Sequence, residues 1–136
     1  MSNLKNLTGL THSIPLDQAV AMTRRYRDHR NEILKPEYAN RDILAICETF
    51  NKVPIQALAE NPACVGIRIY YGMSEDLLCH AILVGVNDLG EDILPASARS
   101  ASSSNLDGDD DDGEILEDSV RCPTVCPPDS PLNDGP

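Results

Sequence analysis

Residues 64–87 read CVGIRIYYGM, then SED, then LLCHAILVGVN, and the alternation within this stretch decides the fold. In the first run Val65, Ile67, Ile69, Tyr71 and Met73 fall on one face, and Gly66, Arg68, Tyr70 and Gly72 on the other. A period of two among β-branched and aromatic residues predicts a strand. The second run sets His80, Ile82, Val84 and Val86 on one face and Cys79, Ala81, Leu83 and Gly85 on the other. The short polar link Ser74-Glu75-Asp76 joins the two as an antiparallel hairpin.

Placing Met73 opposite Leu78 sets Tyr71 against His80, Ile69 against Ile82, Ile67 against Val84 and Val65 against Val86. This register gathers the aliphatic residues on one continuous face, ending in a Tyr–His pair near the turn. Two strands in water cannot bury such a face by themselves. Helices elsewhere are therefore expected to cover it, with Ile69 and Ile82 as core positions.

The chain has 136 residues, enough for one domain of ordinary size. Its charge is uneven. Residues 1–96 hold nine Lys and Arg against twelve Asp and Glu, a net of −3, whereas residues 97–136 hold two against ten, a net of −8. Acidity thus belongs to the C-terminal stretch, and it argues against nucleic acid as a partner, because that affinity rests on cationic contacts to phosphate. No apolar run has the length of a signal peptide or a membrane span, so the expectation is a cytoplasmic protein with no membrane partner. Five cysteines, 47, 64, 79, 122 and 126, are an odd number and fit free thiols better than a complete disulfide framework.

Upstream, residues 1–12 are polar with scattered Leu and read as a flexible N-terminus. Ser13-Ile14-Pro15-Leu16-Asp17 reads as a helix start: Ser13 can cap, Pro15 suits the first turn, and Asp17 favours the positive end of the dipole. Leu16, Ala19, Val20, Thr23 and Tyr26 then recur at helical spacing, and the helix is expected to end before Pro36. Residues 43–50 are ambiguous between a helical stripe and a short buried strand, with strand the preferred reading. Asn51 is a good N-cap for a short helix carrying Val53, Ala57 and Leu58. Beyond the hairpin, Asn87-Asp88-Leu89-Gly90 reads as a turn, and Ile93-Leu94 as a short returning edge strand before Pro95. From Ala96 onward the chain is Ser-rich, then acidic, then Pro-rich, and is expected to be disordered and dispensable for folding.

The arginine-rich first helix, GIRIYYG, the second strand ending in LVGVN and the clustered Cys-Pro tail resemble a group of small bacterial proteins of unknown function. The likeness runs over residues 15–95, with the tail as a looser echo. It implies one compact domain and no activity.

Cys79-His80 invites a thiol–imidazole dyad, but neighbours on a strand point to opposite faces. For His80 a structural partner such as Tyr71 is the simpler reading, and a buried Cys47 or Cys64 usually acts as a small hydrophobe. No G-x-S-x-G, H-E-x-x-H, G-x-x-x-x-G-K-[ST] or G-x-G-x-x-G occurs, which counts against the common enzyme classes. The acidic run 107–118 approximates a calcium loop, yet the sixth position is Asp112 and Gly113 comes one residue late. Cys122-Pro-Thr-Val-Cys126 lacks the further ligands a zinc site needs; mobile free thiols are the simplest reading, with a local disulfide or a shared metal as the others. The strongest surface feature is Arg24, Arg25, Arg27 and Arg30 around Tyr26, a candidate anion or partner site whose plainer reading is a solvated helix face. The linker 97–106 would let the acidic run visit these arginines.

These readings give an α+β fold: a long N-terminal helix and a short helix packed on a small antiparallel sheet built around the hairpin, one domain over 13–95, and an acidic tail over 96–136. The functional expectation is a non-enzymatic cytoplasmic protein-interaction or regulatory module with a flexible acidic tail, without catalytic residues, metal or cofactor. The alternative is a small enzyme or ligand binder using His80, Tyr71 and a Cys near the sheet.

Overall fold

The computed structural model describes residues 7–95 and 113–133. The fold is α+β, with, among the described residues, two α-helices, α1 (Leu16–His29) and α2 (Lys52–Glu60), and five strands: β1 (Cys47–Thr49), β2 (Gly66–Met73), β3 (Cys79–Val86), β4 (Asp92–Ile93) and β5 (Val120–Cys122). They form two antiparallel sheets rather than the one expected, β2-β3-β4 and β1-β5. Where the sequence suggested a single domain over 13–95, the chain divides into two compact units, each assembled from three separated segments.

The first unit draws on Met1–Thr11, Phe50–Tyr71 and Ala81–Asp118. Its core centres on β3, where Leu83, Val84 and Val86 are buried together with Leu58 and Ile93. Burial of four successive residues, 83–86, marks a strand covered on both faces. β4 pairs through Gly85↔Ile93 and Val86↔Asp92, and Leu116 forms a bridge with Leu83, each donating its N–H to the other's carbonyl at 2.9 Å. The link between β3 and β4 is the expected turn: Gly90 N–H reaches Asn87 O at 3.0 Å, and the Asn87 side chain accepts from the N–H of Leu89 and Glu91. Gly90 takes φ 85°, a conformation glycine adopts without a Cβ penalty. Asn51 caps α2 as expected, accepting from Val53 N–H at 2.9 Å.

The alternation of β2 is present, but the apolar face is the exposed one, and on the other face Gly66, Arg68 and Gly72 are half-buried while Tyr70 is exposed. Ile67, Ile69, Tyr71 and Met73 are exposed, Ile69 at 51% and Tyr71 at 85%, so Ile69 is not a core position. Ile82 is half-buried. The helices do not supply the expected cover: α1 has no buried residue and α2 buries only Leu58. Small and polar residues close the opposite face instead. A Cβ on Gly66 would lie 2.7 Å from the Leu7 side chain, so this glycine lets Leu7 come against the strand. Just before β2, Val65 N–H bonds Val86 O at 2.8 Å, while a Cβ on Gly66 would lie 3.5 Å from the Val86 side chain, so Gly66 rather than Val65 shares a face with Val86.

The second unit draws on His12–Thr49, Gly72–His80 and Ser119–Pro136. Here α1 begins at Leu16 with Pro15 at the cap position and no side-chain cap, so Ser13 does not serve as the cap. It ends at His29, and a 3-10 turn follows over Pro36–Tyr38. At the hairpin tip Ser74, rather than Met73, bonds Leu78, with its N–H 3.0 Å from Leu78 O. Leu77, at φ 69°, completes a three-residue loop with a bulge of the kind that shifts pairing by one.

The strand expected within 43–50 is present as β1, and its partner lies in the tail. β1 pairs with β5 through Cys47↔Cys122, Glu48↔Arg121 and Thr49↔Val120. Arg121 fixes β5: its guanidinium donates to the carbonyls of Cys79 (3.0 Å), Asp42 (2.7 Å) and Ile43 (2.7 Å). The expectation of an unstructured tail over 96–136 does not describe residues 113–133, where β5 pairs with β1 and Arg121 holds three carbonyls. Residues 96–112 and 134–136 lie outside the described part.

Candidate functional site

The geometry of β2 follows from where its two faces find partners. Arg68 points toward β4, its Nη1 donating to Asp92 Oδ1 at 2.8 Å and to Gly90 O at 3.1 Å. Tyr70 donates its hydroxyl to Asp92 Oδ2 at 2.6 Å. One carboxylate therefore receives a cation and a phenol, and with side-chain exposures of 29% and 24% the Arg68–Asp92 pair is partly withdrawn from water. The hydrogen bond to Asp92 holds the Arg68 guanidinium above its ordinary pKa. This arrangement uses the only charged side chain of β2 internally and leaves Ile67, Ile69 and Tyr71 facing outward. Among the described residues β2 ends its sheet, the strand order being β2-β3-β4. An edge strand with an exposed apolar face offers main-chain hydrogen bonds and side-chain contact to another extended segment.

The arginines of α1 divide. Arg27 Nη1 donates to Leu132 O at 2.6 Å. Arg30 donates to Leu44 O at 2.6 Å, and its second nitrogen lies 3.4 Å from Asp42 Oδ1. Both act as clamps on neighbouring backbone. Arg24 and Arg25 are exposed. Tyr26 also turns inward, donating to Ala45 O at 2.6 Å; burial pushes its phenol pKa up, outweighing the opposite influence of Arg30. His29 Nδ1 is 3.0 Å from Glu32 Oε1 on the surface.

Tyr71 stands out in solvent rather than lining a recess, while His80 and Cys79 are half-buried. Cys47, Cys64 and Cys79 are free thiols, and the Cys64 Sγ donates to Gly66 O at 3.2 Å. The free-thiol reading is overturned for the last two cysteines, which form a Cys122–Cys126 disulfide. Their short separation in sequence allowed this without identifying it; the pairing of β5 against β1 fixes Cys122 where the following turn brings Cys126 back. Among the described residues no three His, Cys, Asp or Glu converge as a metal site. The acidic stretch 107–112, with its expected visit to α1, lies outside the described residues.

Sequence reasoning missed Asp92 and Arg121, both polar residues whose value comes from what faces them. Asp92 stood in a turn-rich segment, and Arg121 in a stretch read as unstructured. No family model, curated protein or solved structure matches the chain.

Proposed function

We propose that this chain is a non-enzymatic protein-interaction module that takes up an extended apolar segment of a partner protein along β2. The observation carrying this reading is the exposure of Ile67, Ile69 and Tyr71 on a strand at the end of its sheet. An added strand would take its hydrogen bonds from the β2 backbone and its selectivity from alternate side chains seated over these three residues. Retention of Arg68 by Asp92 and Gly90 supports an uncharged occupant, since no unsatisfied charge of β2 faces it. On α1, Arg24 and Arg25 are proposed as a second contact, for acidic segments, with Arg27 and Arg30 structural. No described helix is long and apolar enough to cross a membrane.

A peptide-library selection against the full chain tests this, with hits mapped by backbone amide shifts. Apolar, extended peptides should move the amides of residues 67–71, and Ile69→Lys should abolish their binding while leaving the melting temperature unchanged. Selected peptides that leave those amides unmoved would refute the β2 site.

A further inference from the structure

We propose that Cys47, Cys122 and Cys126 form an internal thiol–disulfide exchange site, which moves the disulfide inward and exposes Cys126 as a modifiable thiol. Cys47 is a free thiol and the direct cross-strand partner of Cys122. Residues directly opposite in an antiparallel ladder project from the same face, with Cα separations near 4.5 or 5.5 Å depending on the pair type. Both separations fall within the range a disulfide spans, about 4.4–6.8 Å. β5 is held by Arg121, through its three carbonyl contacts, so Cys122 is presented to Cys47 by a fixed backbone.

Access differs between the two bonded sulfurs. Cys122 is only 4% exposed, whereas Cys126 is exposed beside an exposed Val125. Which sulfur is attacked governs the outcome of exchange. A nucleophile from solution meets Cys126, while the neighbour on β1 meets Cys122. In the internal step the Cys47 thiol loses its proton and its Sγ attacks Cys122 Sγ. A Cys47–Cys122 bond forms, the Cys122–Cys126 bond breaks, and the electron pair leaves on Cys126 Sγ, which takes up a proton. The number of disulfides is unchanged, so the step needs neither oxidant nor reductant. The product carries its disulfide across the β1-β5 ladder and presents one thiol on the surface.

The experiment uses the full chain without reductant, at about 10 µM, incubated with iodoacetamide and mapped as unreduced peptides. A species should accumulate with label on Cys126 and a linked Cys47–Cys122 peptide. A thiol tethered at an effective concentration of order millimolar outruns one on another molecule at about 10 µM by about a hundredfold. Labelling of Cys126 should therefore fall by about that factor in Cys47→Ser and persist in Cys79→Ser. Unlabelled Cys126 in the unaltered chain, or equal labelling in Cys47→Ser, overturns the proposal. Should Cys47→Ser not fold, the presence or absence of the linked Cys47–Cys122 peptide in the unaltered chain decides.

Discussion

Tyr26 gives its phenolic hydrogen to the carbonyl oxygen of Ala45, 2.6 Å away and 19 residues along the chain. This bond ties α1 to the segment leading into β1, and it depends on the phenol staying protonated. Burial raises the Tyr26 pKa above its ordinary value of 10.0. A raised folded-state pKa means the native state holds its proton more tightly than the unfolded chain. The associated stability is therefore full below pH 10 and is lost as pH rises through the folded pKa. Tyr26→Phe should cost about 0.5–1.5 kcal/mol at pH 7. In urea titrations the gap between the two proteins should close above pH 10; a constant gap would separate the bond from the titration.

Ile69 and Leu83 invert the expectation drawn from alternation alone. Ile69 is 51% exposed and Leu83 6%. Leu83→Ala should cost about 2–5 kcal/mol, as for other buried leucines. Ile69→Ala, by contrast, should stay within about 0.5–1 kcal/mol, as for surface positions. Chemical denaturation of both variants checks the contrast, and a large loss at Ile69 would show that this face is covered.

Arg121 serves three carbonyls at once, and no other side chain type offers several donors in a fixed fork. Arg121→Lys should therefore fail to restore what Arg121→Ala loses. Each charged hydrogen bond contributes about 1.5–3 kcal/mol where buried, and partial exposure lowers the expected total loss to about 2–4 kcal/mol. Amide exchange should quicken at Ile46 and in β5 before it does in β3.

Gly113 has no room for a side chain, because a Cβ there would collide with the Ile93 carbonyl. Its N–H also bonds Leu94 O at 3.2 Å. Gly113→Ala should lower stability by about 1–3 kcal/mol through a forced backbone shift. A neutral substitution would mean that this segment does not lie against β4.

How much of this was legible beforehand depended on whether the deciding interaction was local. The strands of the hairpin, the Asn51 cap and the Asn87–Gly90 turn each rest on residues close in sequence, and each was readable. Which face of β2 is covered was not, because the answer lies in Asp92 receiving both Arg68 and Tyr70, and in Leu7 meeting Gly66. β5 is three residues long and flanked by Ser119 and Pro123. No period can be seen in so short a strand, and its identity comes entirely from β1 and from the Arg121 clamp. Of the proposed site, the apolar residues of β2 were read as core, and the α1 arginines were named as one cluster although Arg27 and Arg30 hold backbone.

The Arg121–Asp42 bond also sets a clock. It joins residues 79 apart in the chain, and ribosomes add about 5–20 residues per second. For about 4–16 s during synthesis, β1 therefore waits for β5 with its pairing edge open and the Asp42 carbonyl without its Arg121 partner. That interval, rather than the finished fold, is when the nascent chain is most open to mispairing or to capture by a chaperone.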